Sequence, residues 1–376
     1  MRPSGTMTPL LHNGFLLIVV AGLLLGLRRA MLPEKTPNRR RVRLPGNSVS
    51  RLGLLTACQA GLLLFLGLLS ALQFREDNFG KLQLWAWTVF LQLPLFLSGV
   101  VLLLWRRVRL VAWGSLAVIA FLALIVIDAF LIEPRWLEIS RITLTTAKVQ
   151  QSLRIVVLAD IQTDRPGAYE ERVLRMAVAE QPDLLLLAGD YIQMGPRSRS
   201  DMEECQALNA IMDRVGLDAP LGVYAIQGNV DRTGVWPIIF AGLPVTTLET
   251  TTQVDMGPAV LTALGMQDAF NTRMVVAPHD KFHVVLGHSP NFSLGTVNAD
   301  LLIAGHTHGG QVQLPFIGPL MTLTAAPRAW ASGVTTITPG KTLIVSRGIG
   351  MERAQAPQLR FLCRPEVVVI DVMPAN

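Results

Sequence analysis

Charged residues are scarce in this chain: only 16% of its 376 residues are Asp, Glu, Lys or Arg, while 51% are hydrophobic. That balance is unusual for a soluble protein and predicts membrane-spanning segments. Cysteine is scarce too. The three cysteines form no C-x-x-C pair, which excludes a thiolate metal site of the usual spacing. A single Cys205–Cys363 disulfide and two buried free thiols stay open as alternatives. The chain also lacks the G-x-S-x-G pattern of many serine hydrolases.

Positive charge is concentrated in the first third of the chain. Residues 1–132 hold 14 Lys and Arg against 4 Asp and Glu, whereas residues 133–376 hold 19 against 23. The later part is therefore mildly acidic. A nucleic-acid partner is not expected, because binding it would need clustered Lys and Arg on the folded domain itself.

Four apolar stretches each approach the ~20 residues that cross a hydrocarbon core as a helix. They lie at about 10–27, 52–73, 82–105 and 110–132. We interpret the first as a retained helix and not as a signal peptide, because a basic loop follows it instead of a small-residue cleavage site. The sequence therefore predicts a transmembrane region at 1–132 and a folded domain at 133–376.

The basic loops predict an orientation for these helices. The loop at 28–51 contains eight Lys and Arg, and the turn at 106–109 contains three, whereas the loop at 74–81 is balanced. Because positive residues prefer the cytoplasmic side, the first and third loops are expected inside. The domain after Ile132 is then expected outside the cytoplasm.

Beyond residue 133 the pattern is that of an α/β domain. Buried strands are expected to begin near Arg154, Leu184 and Val223, with helices at 168–180 and 201–215 between them. After residue 242 strands dominate. Strand–helix alternation followed by a strand-rich half predicts two packed β-sheets with helices outside.

Polar side chains follow several of these strands at the points where the strands end. They are Asp160, Asp190, Asn229, His288, His306 and His308. Strand ends meet at one edge of a parallel sheet, where open α/β folds bind ligands. Carboxylate, amide and imidazole groups are metal ligands, and the neighbouring glycines let the backbone approach an ion closely. The sequence therefore predicts a metal site.

The order and spacing of these motifs resemble those of the calcineurin-like metallophosphoesterases, in particular a membrane-associated bacterial branch. The resemblance covers about residues 133–376 and includes Gly189-Asp190, Gly228-Asn229, Gly287-His288 and Gly305-His306-Thr307-His308. It implies an αββα sandwich of two mixed sheets flanked by helices, with two divalent ions (Mn, Fe, Zn or Mg) at the strand ends.

The resemblance also implies a division of the ligands. Asp160, Asp190 and His308 would hold one ion, and Asp190 would bridge to a second ion held by Asn229, His288 and His306. Such a pair of ions can polarise a phosphoryl group and supply hydroxide near neutral pH, so no Ser or Cys nucleophile is needed.

Two positions depart from the family pattern. Gln162 stands where the family has the His of Asp-x-His, and we expect it to be a weaker, neutral metal ligand. Val230 stands where the family has the His of Gly-Asn-His, which is thought to act in transition-state stabilisation or leaving-group protonation. Asp231 and Arg232 are candidates to replace it. The predicted catalytic residues are Asp190, Asn229, His306, Asp231 and Arg232.

The expected function is that of a membrane-anchored, two-metal phosphoesterase. Only about twenty residues separate the fourth helix from the strand at Arg154, which favours a phosphorylated lipid or lipid-linked pyrophosphate as substrate. Family members that hydrolyse UDP-diacylglucosamine act on a cytoplasmic substrate, which the predicted orientation argues against. The alternative is a catalytically weakened, metal-binding module that senses or binds membrane partners.

Overall fold

The computed structural model describes residues 7–32, 48–75, 77–195, 198–353 and 355–375. It separates into two compact units, Met1–Asp128 with Gln355–Pro357, and Ala129–Ala354 with Gln358–Asn376. Most of the basic loop predicted at 28–51 lies outside the described residues, so its placement in the cytoplasm stays a prediction from sequence.

The first unit consists of apolar helices. They are α1 (Met7–Ala30), α2 (Ser48–Phe74), α3 (Asn78–Trp87), α4 (Leu93–Leu104) and α5 (Arg109–Ile127). Four helical spans are long and apolar enough to cross a membrane: Thr8–Ala30, Val49–Phe74, Asn78–Leu104 and Arg109–Arg135. The four helices predicted from the apolar stretches are confirmed.

The third span contains a π-helical turn, Thr88–Gln92, between α3 and α4. The cause is Pro94, because proline has no N–H and its ring collides with the carbonyl one turn earlier in a regular helix. The span also begins at Asn78 rather than near 82, because the Asp77 carboxylate accepts the Gly80 N–H at 2.5 Å and caps the first turn.

The second unit contains a six-stranded sheet in the order β1-β16-β2-β3-β4-β5. These strands are β1 (Glu138–Thr146), β2 (Leu153–Leu158), β3 (Leu184–Leu187), β4 (Val223–Ile226), β5 (Thr246–Leu248) and β16 (Glu366–Pro374). Neighbours run parallel except β16 and β2, which pair antiparallel. The connections β2–β3 and β3–β4 contain α6 (Ala168–Ala179) and α7 (Asp201–Val215).

A second six-stranded sheet has the order β14-β15-β11-β9-β7-β6. Its strands are β6 (Thr252–Asp255), β7 (Ala259–Ala263), β9 (Phe282–Leu286), β11 (Leu301–Ala304), β14 (Gly333–Thr338) and β15 (Lys341–Val345). The four central strands are parallel, and the edge strands β6 and β14 are antiparallel. Two short pairs complete the unit, β8 (Val275–Val276) with β10 (Thr296–Val297) and β12 (Gln313–Leu314) with β13 (Gly318–Pro319).

The two sheets pack face to face. Ile155 and Val157 of β2 face the second sheet, in a cluster with Val284 of β9. Val156 faces the opposite way and packs with Leu174 of α6. Because both faces of β2 are covered, its sequence is apolar throughout instead of alternating.

The outer face of the second sheet is covered by shorter elements. The helix α8 (Met266–Ala269) and the 3-10 turn Pro290–Leu294 contribute Ala269 and Phe292 to that layer. The predicted architecture of two mixed sheets with helices outside is confirmed. Cys205 and Cys363 are buried free thiols, so the second of the two cysteine alternatives is the one found.

Candidate metal centre

The ends of strands from both sheets meet at one edge of the second unit. In the first sheet, the Asp160 N–H after β2 donates to the Gly189 carbonyl after β3 at 3.0 Å. In the second sheet, the Gly305 N–H after β11 donates to the His288 carbonyl after β9 at 2.9 Å. The His306 N–H joins the two sheets by donating to the Asp160 carboxylate at 2.9 Å. The loops that carry the predicted ligands are therefore fixed to one another.

Two groups of side chains at this edge could each hold a metal ion. Asp190, His288 and His306 form one, and Asp160, Asp190 and His308 form the other; within each group the ligand atoms lie within 4.8 Å of one another. Asp190 belongs to both groups. The sharing of one carboxylate places the two candidate ion positions side by side.

The backbone at these residues is strained. Five of the candidate site residues have positive φ without being glycine: Asp160 (51°), Gln162 (37°), Asp190 (57°), His306 (68°) and His308 (48°). Such conformations cost of order 1–3 kcal/mol each and persist only where the surrounding structure enforces them. Their concentration at one sheet edge is typical of a functional site.

Two glycines make room for the carboxylates. A Cβ on Gly228 would lie 2.1 Å from Asp190 Oδ1, and a Cβ on Gly305 would lie 2.8 Å from Asp160 Oδ2. Any side chain at these positions would displace a predicted metal ligand, which explains why each strand is followed by glycine here.

The ring of His288 is oriented by a backbone carbonyl. Its Nδ1 lies 2.8 Å from the Ala188 carbonyl, to which only an N–H can donate. In the neutral ring the lone pair is then on Nε2, which lies 3.0 Å from Asn229 Oδ1 and 3.3 Å from Asp190 Oδ2. Nε2 is therefore the atom of His288 that would coordinate an ion held together with Asp190.

The charges at the site favour an added cation. Burial alone would lower the pKa of His288, but the Asp190 and Asp160 carboxylates outweigh it and raise that pKa to about 9. Burial raises the pKa of Asp160 to about 7, against the attraction of His288. In the absence of metal, a proton on His288 therefore supplies the positive charge that the carboxylates require.

The other two histidines are neutral, as metal ligands must be. Burial and then the charge of His288 lower the pKa of His306 to about 4. Its Nε2 lies 3.2 Å from the Leu323 carbonyl, which leaves Nδ1 as the lone-pair atom. Burial and then Arg360 hold the pKa of His308 well below its usual value.

Two buried polar atoms at the site, Gln162 Oε1 and His308 Nδ1, have no hydrogen-bond partner among the described residues. A buried acceptor left unpaired costs about 1–3 kcal/mol, so such atoms in a native fold call for a bound group. Carboxylate, amide and imidazole donors suit a hard or borderline divalent cation. The residues present therefore fit the metal ions that the sequence predicts.

Asp231 lies beneath this site instead of facing it. Its carboxylate accepts the backbone N–H groups of Asp190 (2.8 Å), Tyr191 (2.7 Å) and Gly228 (2.8 Å), and the residue is 6% exposed. This arrangement fixes the loops after β3 and β4 to each other. The geometry favours a positioning role, and the acid role predicted from sequence stays a prediction.

We expect Asp231→Asn to destabilise the protein rather than to change its pH profile. The amide can accept with one atom only, so at least one buried N–H loses its partner, at a cost of about 2 kcal/mol. Thermal melting of the full chain in detergent should fall equally with and without metal, while Asp213→Asn on the exposed surface of α7 leaves it unchanged. An unchanged melting temperature together with a lost limb of the pH–rate profile would instead identify Asp231 as an acid.

Asn229 and Arg232 lie at the solvent side. Asn229 is exposed, with only its Oδ1 turned back to His288. The Arg232 guanidinium lies 3.1 Å from the Asp201 carboxylate in the first turn of α7, with 71% of its side chain exposed. The roles predicted for both residues are untested by these contacts, although Asn229 is better placed to reach a substrate.

Sequence reasoning missed a polar network behind Gln162. Gln193 and Glu352 bind the Gln162 amide, and the wholly buried Arg360 donates to the carbonyls of Gly350 and Gly348 nearby. None of these three follows the pattern of strand, glycine and ligand. The cluster of glycine and charged residues at 347–353 was the one feature of the sequence that could have indicated this network.

Comparison with known proteins agrees with this site. The family model named "Calcineurin-like phosphoesterase" matches residues 153–310, which run from β2 to just past His306 and His308. The "Uncharacterized metallophosphoesterase YkuE" of Bacillus subtilis is 26% identical over 265 residues, covering 65% of this chain and 88% of that protein.

Two further relatives have more specific names. The "Phosphodiesterase YaeI" of Escherichia coli is 25% identical, over 64% of this chain and 90% of that protein. The "UDP-2,3-diacylglucosamine pyrophosphatase LpxG" of Chlamydia muridarum is 24% identical, also over 64% of this chain and 90% of that protein. Together with the Asp and His groups at the strand ends, these matches show a calcineurin-like phosphoesterase domain at residues 153–310 and support a hydrolase that acts on phosphate esters.

Proposed function

We propose that this protein is a membrane-anchored phosphoesterase that uses two adjacent divalent ions to hydrolyse a phosphate ester or pyrophosphate of a lipid. The observation that carries the proposal is the membership of Asp190 in both ligand groups. A single shared carboxylate is the arrangement that holds two ions within a few ångströms, as two-metal hydrolysis requires.

Divalent ions bound there would polarise the phosphoryl group and lower the pKa of a bound water. The protein's own residues set the geometry. Asp190 lies at the centre, its Oδ1 held by the Val230 N–H at 2.9 Å. His306 is half-buried and Asn229 is exposed, so both are accessible to a phosphoryl group that approaches from solvent.

The leaving group has a place beside Val230. A cavity of about 400 Å³ is lined there by Val230, Met194, Trp236, Asp201 and Arg232. The lining is mixed, but Val230 itself has no proton to donate at the position of the family histidine. This favours a substrate whose leaving group is stable as an anion, such as a phosphate in a pyrophosphate.

Two observations support a lipid as the substrate. The same chain has four spans apolar enough to cross a membrane. In addition, the segment after His308 exposes large apolar side chains, with Phe316 fully exposed and Ile317 61% exposed. Solvent-exposed apolar groups of this size are typical of interaction sites. The segment leads to Leu323, whose carbonyl binds His306 at the metal centre.

We expect the double substitution Phe316→Ser and Ile317→Ser to slow hydrolysis of a lipid phosphoester about tenfold, because apolar contact with acyl chains is removed. Hydrolysis of a water-soluble chromogenic diester should stay within twofold. Val334→Ser, on an exposed position of β14, is the matched control. Equal slowing of both substrates would contradict a role in lipid contact.

The orientation of the domain divides the candidate lipids. The charge of the loops favours an extracytoplasmic domain and therefore a lipid-linked phosphate or pyrophosphate on that side. LpxG is named for a UDP-linked diacylglucosamine, and a cytoplasmic domain would favour a substrate of that kind. A reporter enzyme fused after the domain, active on only one side of the membrane, decides between them.

The central experiment measures turnover by the full chain in detergent micelles loaded with Mn²⁺, with bis-p-nitrophenyl phosphate and a set of lipid phosphates as substrates. Activity that requires metal and is lost in His306→Ala supports the enzyme. His279→Ala is the control, because this histidine lies outside both ligand groups and binds the Lys281 N–H.

One observation favours a second candidate, a metal-binding module without turnover. Val230 and Gln162 both replace residues that the family uses for chemistry or metal binding. Stoichiometric metal binding without hydrolysis of any ester in the set would decide for the module. Turnover at the level of the uncatalysed reaction in both the parent and His306→Ala would have the same meaning.

A further inference from the structure

The side-chain amide of Gln162 is held in one orientation. Its Nε2 donates to Gln193 Oε1 at 2.9 Å and to Glu352 Oε2 at 3.0 Å. Both partners are acceptors, so the nitrogen must face them and the oxygen must face away. That oxygen, Oε1, is buried and has no hydrogen-bond partner among the described residues.

Glu352 is itself fixed from several sides. Its Oε1 accepts Gln193 Nε2 at 2.5 Å, and its backbone N–H donates to Gln311 Oε1 at 2.5 Å. Gln311 directly follows the loop of His306 and His308, so this bond joins Glu352 to the loop that carries the histidines. The network therefore connects three loops around the metal centre, those after β2, β3 and β11.

Gln162 is also fixed through its backbone. Its N–H donates to the Asp190 carbonyl at 2.8 Å, and its carbonyl accepts Arg353 Nε at 2.9 Å. The residue is wholly buried, two positions after Asp160. A buried amide restrained at both backbone and side chain, with one unpaired oxygen, has the features of a preorganised ligand.

We propose that Glu352 is a positioning residue, which holds Gln162 so that its Oε1 completes the ligand group of Asp160, Asp190 and His308. The inference rests on the metal centre of the proposed function. In this arrangement the group consists of three oxygen ligands and one nitrogen ligand. Replacing a family histidine with an amide oxygen shifts the preference of the site toward oxygen-binding ions such as Mn²⁺ or Mg²⁺ and away from Zn²⁺.

The test measures metal affinity and content directly, by competition with a chromophoric chelator and elemental analysis of the full chain in detergent. Loss of a hydrogen bond that orients a ligand typically weakens metal binding about 10–100-fold. We expect Glu352→Gln to lower the affinity for one of the two proposed Mn²⁺ ions about tenfold. Glu249→Gln, an exposed carboxylate outside the network, should bind as the parent does.

A double-mutant cycle separates positioning from a general structural role. If Glu352 acts through Gln162, the substitution Glu352→Gln should have less than about twofold effect on affinity in a Gln162→Ala background. Melting of the metal-free protein should be unchanged by Glu352→Gln. Additive losses of metal affinity in the cycle would overturn the proposal. So would a fall in the melting temperature of Glu352→Gln that is as large without metal as with it.

Gln162→His tests the metal preference. It restores the family's nitrogen ligand, and we expect the ratio of Mn²⁺ to Zn²⁺ affinity to fall about tenfold. An unchanged ratio would show that position 162 does not contact the ion. These readouts do not need turnover, so metal binding that follows the proposal without any hydrolysis would reject the enzyme and keep the inference.

Discussion

Asp190→Asn is expected to lower the metal content from the proposed two ions per chain to fewer than one and to reduce kcat/KM about 10³-fold. Asp190 belongs to both ligand groups, so replacing its carboxylate with a neutral amide weakens the binding of both ions at once. A factor of 10³ corresponds to about 4 kcal/mol of lost transition-state stabilisation. Elemental analysis and steady-state kinetics on the same preparation measure the two effects together.

The substitution leaves the shape of the residue nearly unchanged. Its Oδ1 can still accept the Val230 N–H, so the loop after β4 should keep its hydrogen bond. Asp371→Asn is the matched control, because Asp371 pairs with Arg154 on β2, 2.7 Å away and partly exposed. Such a pair contributes about 1 kcal/mol or less. Unchanged metal stoichiometry in Asp190→Asn would contradict the shared carboxylate.

Val230→His is expected to raise the rate for substrates with poor leaving groups about 100-fold. A positioned general acid typically contributes 10²–10⁴-fold. The two carboxylates that line this cavity among the described residues are already engaged: Asp201 pairs with Arg232, and Asp231 is bound by backbone N–H groups. Alkyl and p-nitrophenyl diesters compared at constant metal load measure the effect. The p-nitrophenyl ester should change less than about threefold, because its leaving group needs no proton.

The gain has a definite pH dependence. An imidazolium donates only while protonated, so the gain should be present below its pKa, roughly 6.5 for an unperturbed histidine, and should disappear above it. Val230→Gln controls for size and polarity without an ionisable proton. An equal gain for both esters, or the same gain in Val230→Gln, would show that the missing acid does not limit the rate.

Much of the site could be predicted from the sequence because every candidate ligand follows an apolar strand, with His306 and His308 sharing β11. An apolar run, a glycine and a polar residue can be recognised locally, and parallel strands bring their ends to the same edge without further information. The order of the motifs then resembles that of the calcineurin-like phosphoesterases, whose family model matches residues 153–310. Asp160, Asp190, His288, His306 and His308 were found in this way, and the structure brings them together.

The supporting groups could not be found in this way. Glu352 lies 190 residues beyond Gln162 along the chain, and their contact depends on the path of a loop without a regular pattern. Asp231, in contrast, was singled out from the sequence, but for a different role from the one that its contacts favour. Its position two residues after Asn229 suggested an acid. The three N–H groups that bind its carboxylate come from two loops, and only the folded structure brings these loops together.

The position of β16 has a consequence for biosynthesis. This strand lies inside the first sheet between β1 and β2, yet it follows all the other strands in chain order. During translation the helices of the first unit emerge long before it, so the proposed insertion of these helices into a bilayer can be complete while the sheet still lacks one strand. Until β16 is made, β2 presents an open edge that could pair with other chains. Ribosome-bound chains stopped before residue 366 should therefore be sensitive to protease and dependent on chaperones, whereas chains released after residue 374 should not.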